Sequence, residues 1–104
     1  MGLFRRRKTV PAGGRAATKA DTKHLEEFVA TRRGVEAFVE PKTVVTETTV
    51  VLVAHDGEWT RRRIDGPEGA RDLGQRLKIP VYDANIVGYP QRMRDWNARQ
   101  RTGG

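Results

Sequence analysis

The chain has 104 residues, with 20 Lys and Arg, 13 Asp and Glu and a formal net charge of +7. This length accommodates one small domain, and the absence of cysteine excludes a disulfide framework, a thiol nucleophile and a cysteine-ligated metal cluster. The longest apolar run, residues 50–54, is far shorter than the roughly 20 residues of a membrane-spanning helix. We therefore expect a cytoplasmic protein without a transmembrane segment.

The positive charge is concentrated at the two ends of the sequence. Residues 1–20 carry six Lys and Arg and no acid, residues 21–89 have a net charge of −2, and residues 90–104 have a net charge of +3. The first segment contains one aromatic residue, which is too little apolar surface to offset the entropy of ordering the chain. We predict a disordered basic arm over 1–20, a single α+β domain over 21–99 and a frayed tail over 100–104.

The folded part is predicted to begin with a helix. Asp21 is a suitable N-cap, Leu25, Phe28 and Val29 recur on one helical face, and Gly34 is placed to end the helix. This spacing is typical of an amphipathic helix that packs on a sheet.

Three β-strands are predicted to follow this helix. Residues 35–40 and 43–55 are dense in Val and Thr, which favour pleated structure, and Pro41-Lys42 separates the two segments. Asp56-Gly57 is a strong hairpin signal, so residues 58–64 should form the third antiparallel strand.

The register of this hairpin decides which side chains share a face of the sheet. A two-residue turn would place Ala54 opposite Trp59 and Leu52 opposite Arg61. One face would then carry a tryptophan, two arginines and three apolar residues, namely Trp59, Arg61, Arg63, Val50, Leu52 and Ala54. Arg62 would lie on the other face with Val51, Val53 and Thr60.

The remaining sequence predicts a second helix, a short strand and a terminal helix. Pro67 and Pro80 bracket the second helix, residues 81–83 or 86–88 can form the short strand, and residues 90–99 form the last helix. The predicted fold class is therefore α+β, a three-stranded antiparallel meander with flanking helices.

Arg61, Arg62 and Arg63 form a candidate binding site with Trp59 on the third strand. Three consecutive arginines project to both faces of a sheet, which suits an edge strand whose charges deter aggregation, or arginines that pair with Glu47 and Asp65. The functional interpretation is a phosphate-binding stripe, since guanidinium groups and an aromatic ring suit an RNA backbone and an unstacked base.

Arg5, Arg6, Arg7 and Lys8 form a second cationic cluster in the predicted arm. Such a cluster attracts the phosphates of RNA or DNA, and it would also be attracted to an anionic membrane surface.

Neither a catalytic residue nor a metal or cofactor is assigned. His24 and His55 lack the spacing of a metal site, and the chain has no glycine-rich dinucleotide turn. Tyr82, Asp83 and Tyr89 lie near the end of a probable strand, where α/β enzymes often place polar groups. A packed tyrosine and a turn aspartate are the preferred interpretation.

The order helix, strand, strand, strand, helix over residues 21–78 resembles the topology of the double-stranded-RNA-binding domain. Residues 25–29 before Gly34, and the hairpin at Asp56-Gly57, lie where that family has its first helix and its second turn. The family grips phosphates at a lysine-rich start of its second helix, where this chain has residues 67–72, Pro-Glu-Gly-Ala-Arg-Asp. The resemblance therefore implies an architecture more than a particular RNA site.

A second resemblance covers residues 44–63, 79–83 and 87–95. These runs resemble small uncharacterised proteins of high-GC Gram-positive bacteria, some of which carry an oxidoreductase label. This resemblance implies no particular cofactor.

From the sequence we predict a non-catalytic binding module whose arm contacts RNA or a ribonucleoprotein, with Trp59 and the three arginines as a second contact. The first alternative is a protein-interaction subunit that binds a partner through Tyr89, Met93 and Trp96. The second alternative is an oxidoreductase without a recognisable cofactor motif.

Overall fold

A computed structural model gives the structure of the chain over residues 17–102. The elements in chain order are α1 (Lys19–Thr31), β1 (Glu36–Glu40), β2 (Thr49–Val53), β3 (Trp59–Arg63), α2 (Gly66–Leu77), β4 (Val81–Asp83), α3 (Ala84–Val87) and α4 (Gln91–Thr102). No helix in this part of the chain is long and apolar enough to cross a membrane.

The four strands form one mixed sheet in the order β3-β2-β1-β4. The fold is α+β as predicted, and β1, β2 and β3 form an antiparallel meander. The sheet as a whole is not a three-stranded meander, because β4 adds to β1 in the parallel direction. The chain leaves β3 at one edge and α2 carries it to the other edge, which is the kind of crossover that a parallel pair requires.

The N-cap of helix α1 lies three residues before the predicted one. Thr18 is the N-cap, and its hydroxyl accepts a hydrogen bond from the backbone N–H of Asp21 at 3.1 Å. The Asp21 carboxylate in turn accepts one from the backbone N–H of Thr18 at 3.0 Å, which completes a capping box. The prediction that Asp21 is the N-cap was therefore wrong, because the residue stabilises the first turn from inside the helix.

Strand β2 is shorter than predicted because its first residues form a loop. The hydroxyl of Thr43 accepts hydrogen bonds from the backbone N–H groups of Val45, at 3.2 Å, and Thr46, at 3.1 Å. This side chain thereby stabilises a turn in competition with a strand ladder. Extended pairing with β1 starts only at Thr49.

The register of the β2–β3 hairpin differs by one residue from the prediction. Ala54 donates a backbone hydrogen bond to Glu58 at 2.8 Å, so the loop has three residues, and Gly57 occupies its left-handed position with φ +96°. Val53 therefore pairs with Trp59, and the remaining pairs follow. The side chains of Trp59, Arg61 and Arg63 consequently share a face with Thr49, Val51 and Val53, not with Val50, Leu52 and Ala54.

Apolar clusters lie on both faces of the sheet. The face that packs on α1 and α2, here called the α1/α2 face, buries Leu25, Phe28, Ala37, Val50, Leu52 and Leu73. The opposite face, here called the α4 face, buries Phe38, Val51, Val53, Ala84 and Met93. Each fully buried Val or Leu stabilises the fold by about 2 kcal/mol relative to an exposed one.

Helix α4 is fixed to the β2–β3 hairpin by arginine contacts to backbone carbonyls. Arg92 Nε donates to the carbonyl of Ala54 at 2.9 Å, and Arg99 Nη2 donates to that of Asp56 at 2.8 Å. The helix continues through Thr102, so the predicted tail from residue 100 begins inside it.

The contact between Gly57 and α4 yields a first prediction. A β-carbon on Gly57 would overlap the carbonyl oxygen of Arg92, and the positive φ disfavours any L side chain as well. We expect Gly57→Ala to lower the free energy of unfolding by about 3 kcal/mol, measured by urea denaturation.

Gly66→Ala is the matched control, because Gly66 also has a positive φ, +70°, but has no heavy atom within 4 Å of a built β-carbon. It should lower the stability by only about 1 kcal/mol. Equal losses in the two variants would contradict close packing of α4 on the hairpin.

Candidate functional site

The arginines of β3 lie at an edge of the sheet and point alternately to its two faces. Arg61 and Arg63 lie on the α4 face, and Arg62 lies on the α1/α2 face. The prediction of an edge strand is confirmed. What each arginine contacts therefore decides which of them is available to a ligand.

The Glu40 carboxylate binds Arg61 through both of its oxygens. Arg61 Nε lies 2.8 Å from Oε1, and Arg61 Nη2 lies 3.0 Å from Oε2. The Thr49 hydroxyl donates to Oε1 at 2.6 Å, and the Tyr89 hydroxyl donates to Oε2. One carboxylate thus links β1, β2, β3 and the segment before α4, and we call this group of four residues the Glu40 network.

The ionisation of this network follows from its contacts. Burial alone would raise the pKa of Glu40, but hydrogen bonds from Arg61, Thr49 and Tyr89 outweigh burial and lower that pKa below its usual value. Burial and the hydrogen bond to Glu40 raise the pKa of the Tyr89 hydroxyl. At neutral pH the network therefore contains an ionised carboxylate and a protonated phenol.

Arg62 and Arg63 are in different electrostatic situations. Arg62 Nη1 lies 3.8 Å from Oδ1 of Asp21, whose residue is only 2% exposed. Arg63 has no ion pair within residues 17–102. Glu47 and Asp65, the predicted partners, form no ion pair with the three arginines within residues 17–102, although Glu47 lines a cleft with them. These pairings were wrong, because the strand register brings Glu40 to Arg61.

Trp59 connects β3 to α4. Its ring nitrogen donates a hydrogen bond to Oδ1 of Asn97 at 2.8 Å, and the Arg61 guanidinium carbon lies 5.3 Å from the ring centroid. The half-buried indole thus has a polar partner and a cationic partner within the fold.

The end of the predicted arm lies beside these arginines. The backbone N–H of Ala17 donates to Oδ1 of Asp65 at 3.2 Å, and Asp65 follows the last residue of β3 by two positions. The arm's cationic residues, Arg5, Arg6, Arg7 and Lys8, lie outside the described residues. These residues are joined to the fold through Ala17, near the edge of the sheet that carries Arg61, Arg62 and Arg63 on β3, here called the arginine edge.

Two clefts lie along the sheet and meet at Tyr89. The larger, here called the polar cleft, has a volume of about 390 Å³, and its lining includes Glu40, Thr43, Thr46, Thr49, Arg61, Asn85 and Tyr89. The second, here called the aromatic cleft, has a volume of about 250 Å³ and is lined by Glu36, Phe38, Tyr82, Val87, Gly88, Tyr89 and Pro90. Tyr89 lines both and therefore lies between them.

The residues predicted to bind a protein partner have structural contacts. Met93 is 7% exposed and packs in the cluster on the α4 face. Trp96 is half-buried beside Gly57, and Tyr89 belongs to the Glu40 network. Met93 therefore contributes to the core of the domain.

The histidines are not brought together by the fold. His24 Nε2 lies 2.7 Å from the Thr60 hydroxyl, whereas His55 is exposed at the hairpin loop. Within the described part of the chain no group of three or more His, Cys, Asp or Glu is placed to hold a metal ion. Asp83 caps α3 by accepting a hydrogen bond from the N–H of Asn85 at 2.8 Å.

Sequence reasoning missed the residues that organise this surface. Glu36 and Glu40 are acids on the α4 face, and each holds an arginine, Arg92 and Arg61 respectively. The alternation of Glu36, Phe38 and Glu40 could have placed these acids on one face, but their partners depend on the hairpin register.

Comparison with known proteins gave no significant match to a family, to a curated protein or to a solved structure.

The lowered pKa of Glu40 yields a second prediction. In the unfolded chain this carboxyl titrates near 4.5, and in the folded chain it titrates below that value. The ionised form therefore contributes stability above this pH, and the contribution is lost as the pH falls through the folded-state pKa. We expect the free energy of unfolding to decrease from about pH 5 to about pH 3 more steeply in the wild type than in Glu40→Gln.

Urea denaturation over this pH series measures the effect. Glu47→Gln is the control, because it removes a carboxylate of the same cleft that forms no ion pair in the described region. It should keep the steep dependence of the wild type. Identical slopes in the wild type and Glu40→Gln would rule out a stabilising Glu40 network.

Proposed function

We propose that the protein is a non-catalytic RNA-binding module in which the basic arm and the arginine edge of β3 hold backbone phosphates together. The observation that supports this most is the hydrogen bond between Ala17 and Asp65. It holds Ala17, the root of the arm, at a residue two positions beyond Arg63, so two basic segments that are distant in sequence are attached to the fold close to one another.

The distribution of charge supports a phosphate ligand. Residues 17–102 contain fifteen Lys and Arg and thirteen Asp and Glu, a net charge of only +2. Residues 1–16 add five Lys and Arg and no acid. Cationic side chains gathered along one edge release counterions when they bind a polyanion, which gives affinity without sequence specificity.

The charges of α1 and α2 argue against binding in the groove of an RNA duplex and so favour single-stranded RNA as the ligand. Helix α1 has two Lys against three Asp and Glu, and α2 has two Arg against two acids, so neither offers a basic surface. Glu68 and Pro67 also lie in the first turn of α2, where a carboxylate and a missing N–H disfavour phosphate. An edge strand that carries arginines, with a basic segment of sequence joined beside it, instead suits an unpaired backbone.

The third prediction tests the arm and the edge separately. We expect the wild type to bind a roughly 12-nucleotide RNA with an affinity that falls at least about tenfold between about 50 and 200 mM salt. Replacing the arm cations together, by Arg5→Gln, Arg6→Gln, Arg7→Gln and Lys8→Gln, should weaken binding by about tenfold at the lower salt and flatten this salt dependence. Fluorescence anisotropy of a labelled RNA measures both quantities.

Arg63→Gln should also weaken binding and reduce the salt slope by about one, because Arg63 has no ion pair in the described region. Arg71→Gln, on the exposed side of α2, is the charge-matched control and should change little. Absence of RNA binding at about 50 mM salt, where phosphate contacts are strongest, would contradict the proposal. A protein complex that survives nuclease treatment would favour a protein-interaction subunit instead.

A further inference from the structure

The aromatic cleft carries an exposed ring beside a buried one. Phe38 and Tyr82 are directly paired on β1 and β4 and lie on the α4 face. Their ring centroids are 5.5 Å apart with an interplanar angle of 31°. Phe38 is 4% exposed, whereas Tyr82 is 38% exposed. Phe38 thus supports a neighbouring ring that remains open to solvent.

The chain between β4 and α4 borders this cleft. Helix α3 follows β4 directly and ends at Val87, after which Gly88 and Pro90 turn the chain towards α4. Val87 and Pro90 line the cleft, and Val87 is itself 54% exposed. Met93 and the rest of α4 pack over the neighbouring part of the same face. The result is an apolar, ring-lined recess at the edge of the sheet.

The aromatic cleft continues into the cationic surface through Tyr89. The Tyr89 ring lies 6.4 Å from that of Phe38, and its hydroxyl contacts Glu40, which holds Arg61. Three strand spacings, about 14 Å, separate β4 from β3, a distance that a short single strand can cover. The acids along this route are neutralised, because Glu36 is paired with Arg92 and Glu40 with Arg61.

We infer that the aromatic cleft is a base-stacking subsite, in which Tyr82 stacks on an unpaired base of RNA whose phosphates lie against Arg63, the arginine of β3 on the same face of the sheet that has no ion pair within residues 17–102. This inference rests on the proposed function and adds the base to the phosphate contacts. Trp59, the predicted stacking residue, has its ring nitrogen bonded to Asn97 and Arg61 beside its ring. Trp59 also lines a cleft, beside His24 and Phe28 of α1, but Tyr82 is the most exposed aromatic residue within 17–102. An unpaired base of any identity offers a face that stacks on it.

The inference predicts that the protein distinguishes RNA from a polyanion without bases. The experiment measures the binding of the full-length protein to a single-stranded oligo-uridine of about 12 nucleotides and to inorganic polyphosphate of similar charge. Tyr82→Leu, which keeps an apolar side chain but removes the ring, should weaken RNA binding by about tenfold and leave polyphosphate binding unchanged. Tyr82→Phe, which keeps the ring, should bind RNA like the wild type.

Ile86→Ala is the control, because Ile86 is 80% exposed on neighbouring α3 and does not line the cleft. It should bind both ligands normally, and thermal denaturation checks that each variant is folded. If Tyr82→Leu binds RNA like the wild type while Arg63→Gln is impaired, the cleft is not a base site and the proposed function stands. An equal loss on RNA and on polyphosphate also overturns the inference. If the wild type binds neither the oligo-uridine nor the polyphosphate, the proposed function itself is overturned.

Discussion

The carboxylate of Glu40 fixes the arrangement on which the whole surface depends. It accepts two hydrogen bonds from the Arg61 guanidinium and one each from Thr49 and Tyr89. Charge-assisted bonds of this bidentate geometry restrict both partners in orientation as well as in distance. Without this carboxylate Arg61 would be free to move, and Tyr89 would lose the contact that joins the aromatic cleft to the polar cleft.

Because Glu40 binds Arg61, the three arginines of β3 differ in whether they are available to a ligand. Arg61 is engaged by Glu40, and Arg62 lies near the buried Asp21. Arg63 is the member of the run without an ion pair in the described region, so a ligand phosphate can bind it without breaking an existing contact. A phosphate that binds an arginine already paired with a carboxylate must compete with that carboxylate for the N–H groups, as it would at Arg61.

Local features of the fold were predictable because they depend on short sequence spacings. The apolar face of α1 follows from Leu25 and Phe28, and the hairpin follows from Asp56-Gly57. The register was not predictable from this turn signal alone. Both two-residue and three-residue loops accept Asp-Gly, and the left-handed Gly57 under α4 selects the longer one. This one-residue difference in register places the side chains of Trp59, Arg61 and Arg63 on the face opposite to the predicted one.

The composite surface could not be predicted because its contacts are distant in sequence. Ala17 and Asp65 are 48 residues apart, and Tyr89 and Glu40 are 49 apart. Tyr82 reaches the α4 face only because β4 crosses to the far edge and pairs with β1 in parallel. The charge pattern of the sequence identified the arm and the three arginines of β3. That the arm is joined to the fold near these arginines depends on where α1 begins and β3 ends.

In the proposed complex, the root of the arm, the β3 arginines and the Tyr82 ring contact the same RNA. An NMR titration of the full-length protein with a short oligo-uridine tests this proposal most directly. We expect the largest shifts for the signals of Arg63, Tyr82 and Tyr89, together with the residues around Ala17, and small shifts along the exposed side of α2. Shifts confined to residues 1–16, or centred on α2, would contradict the account.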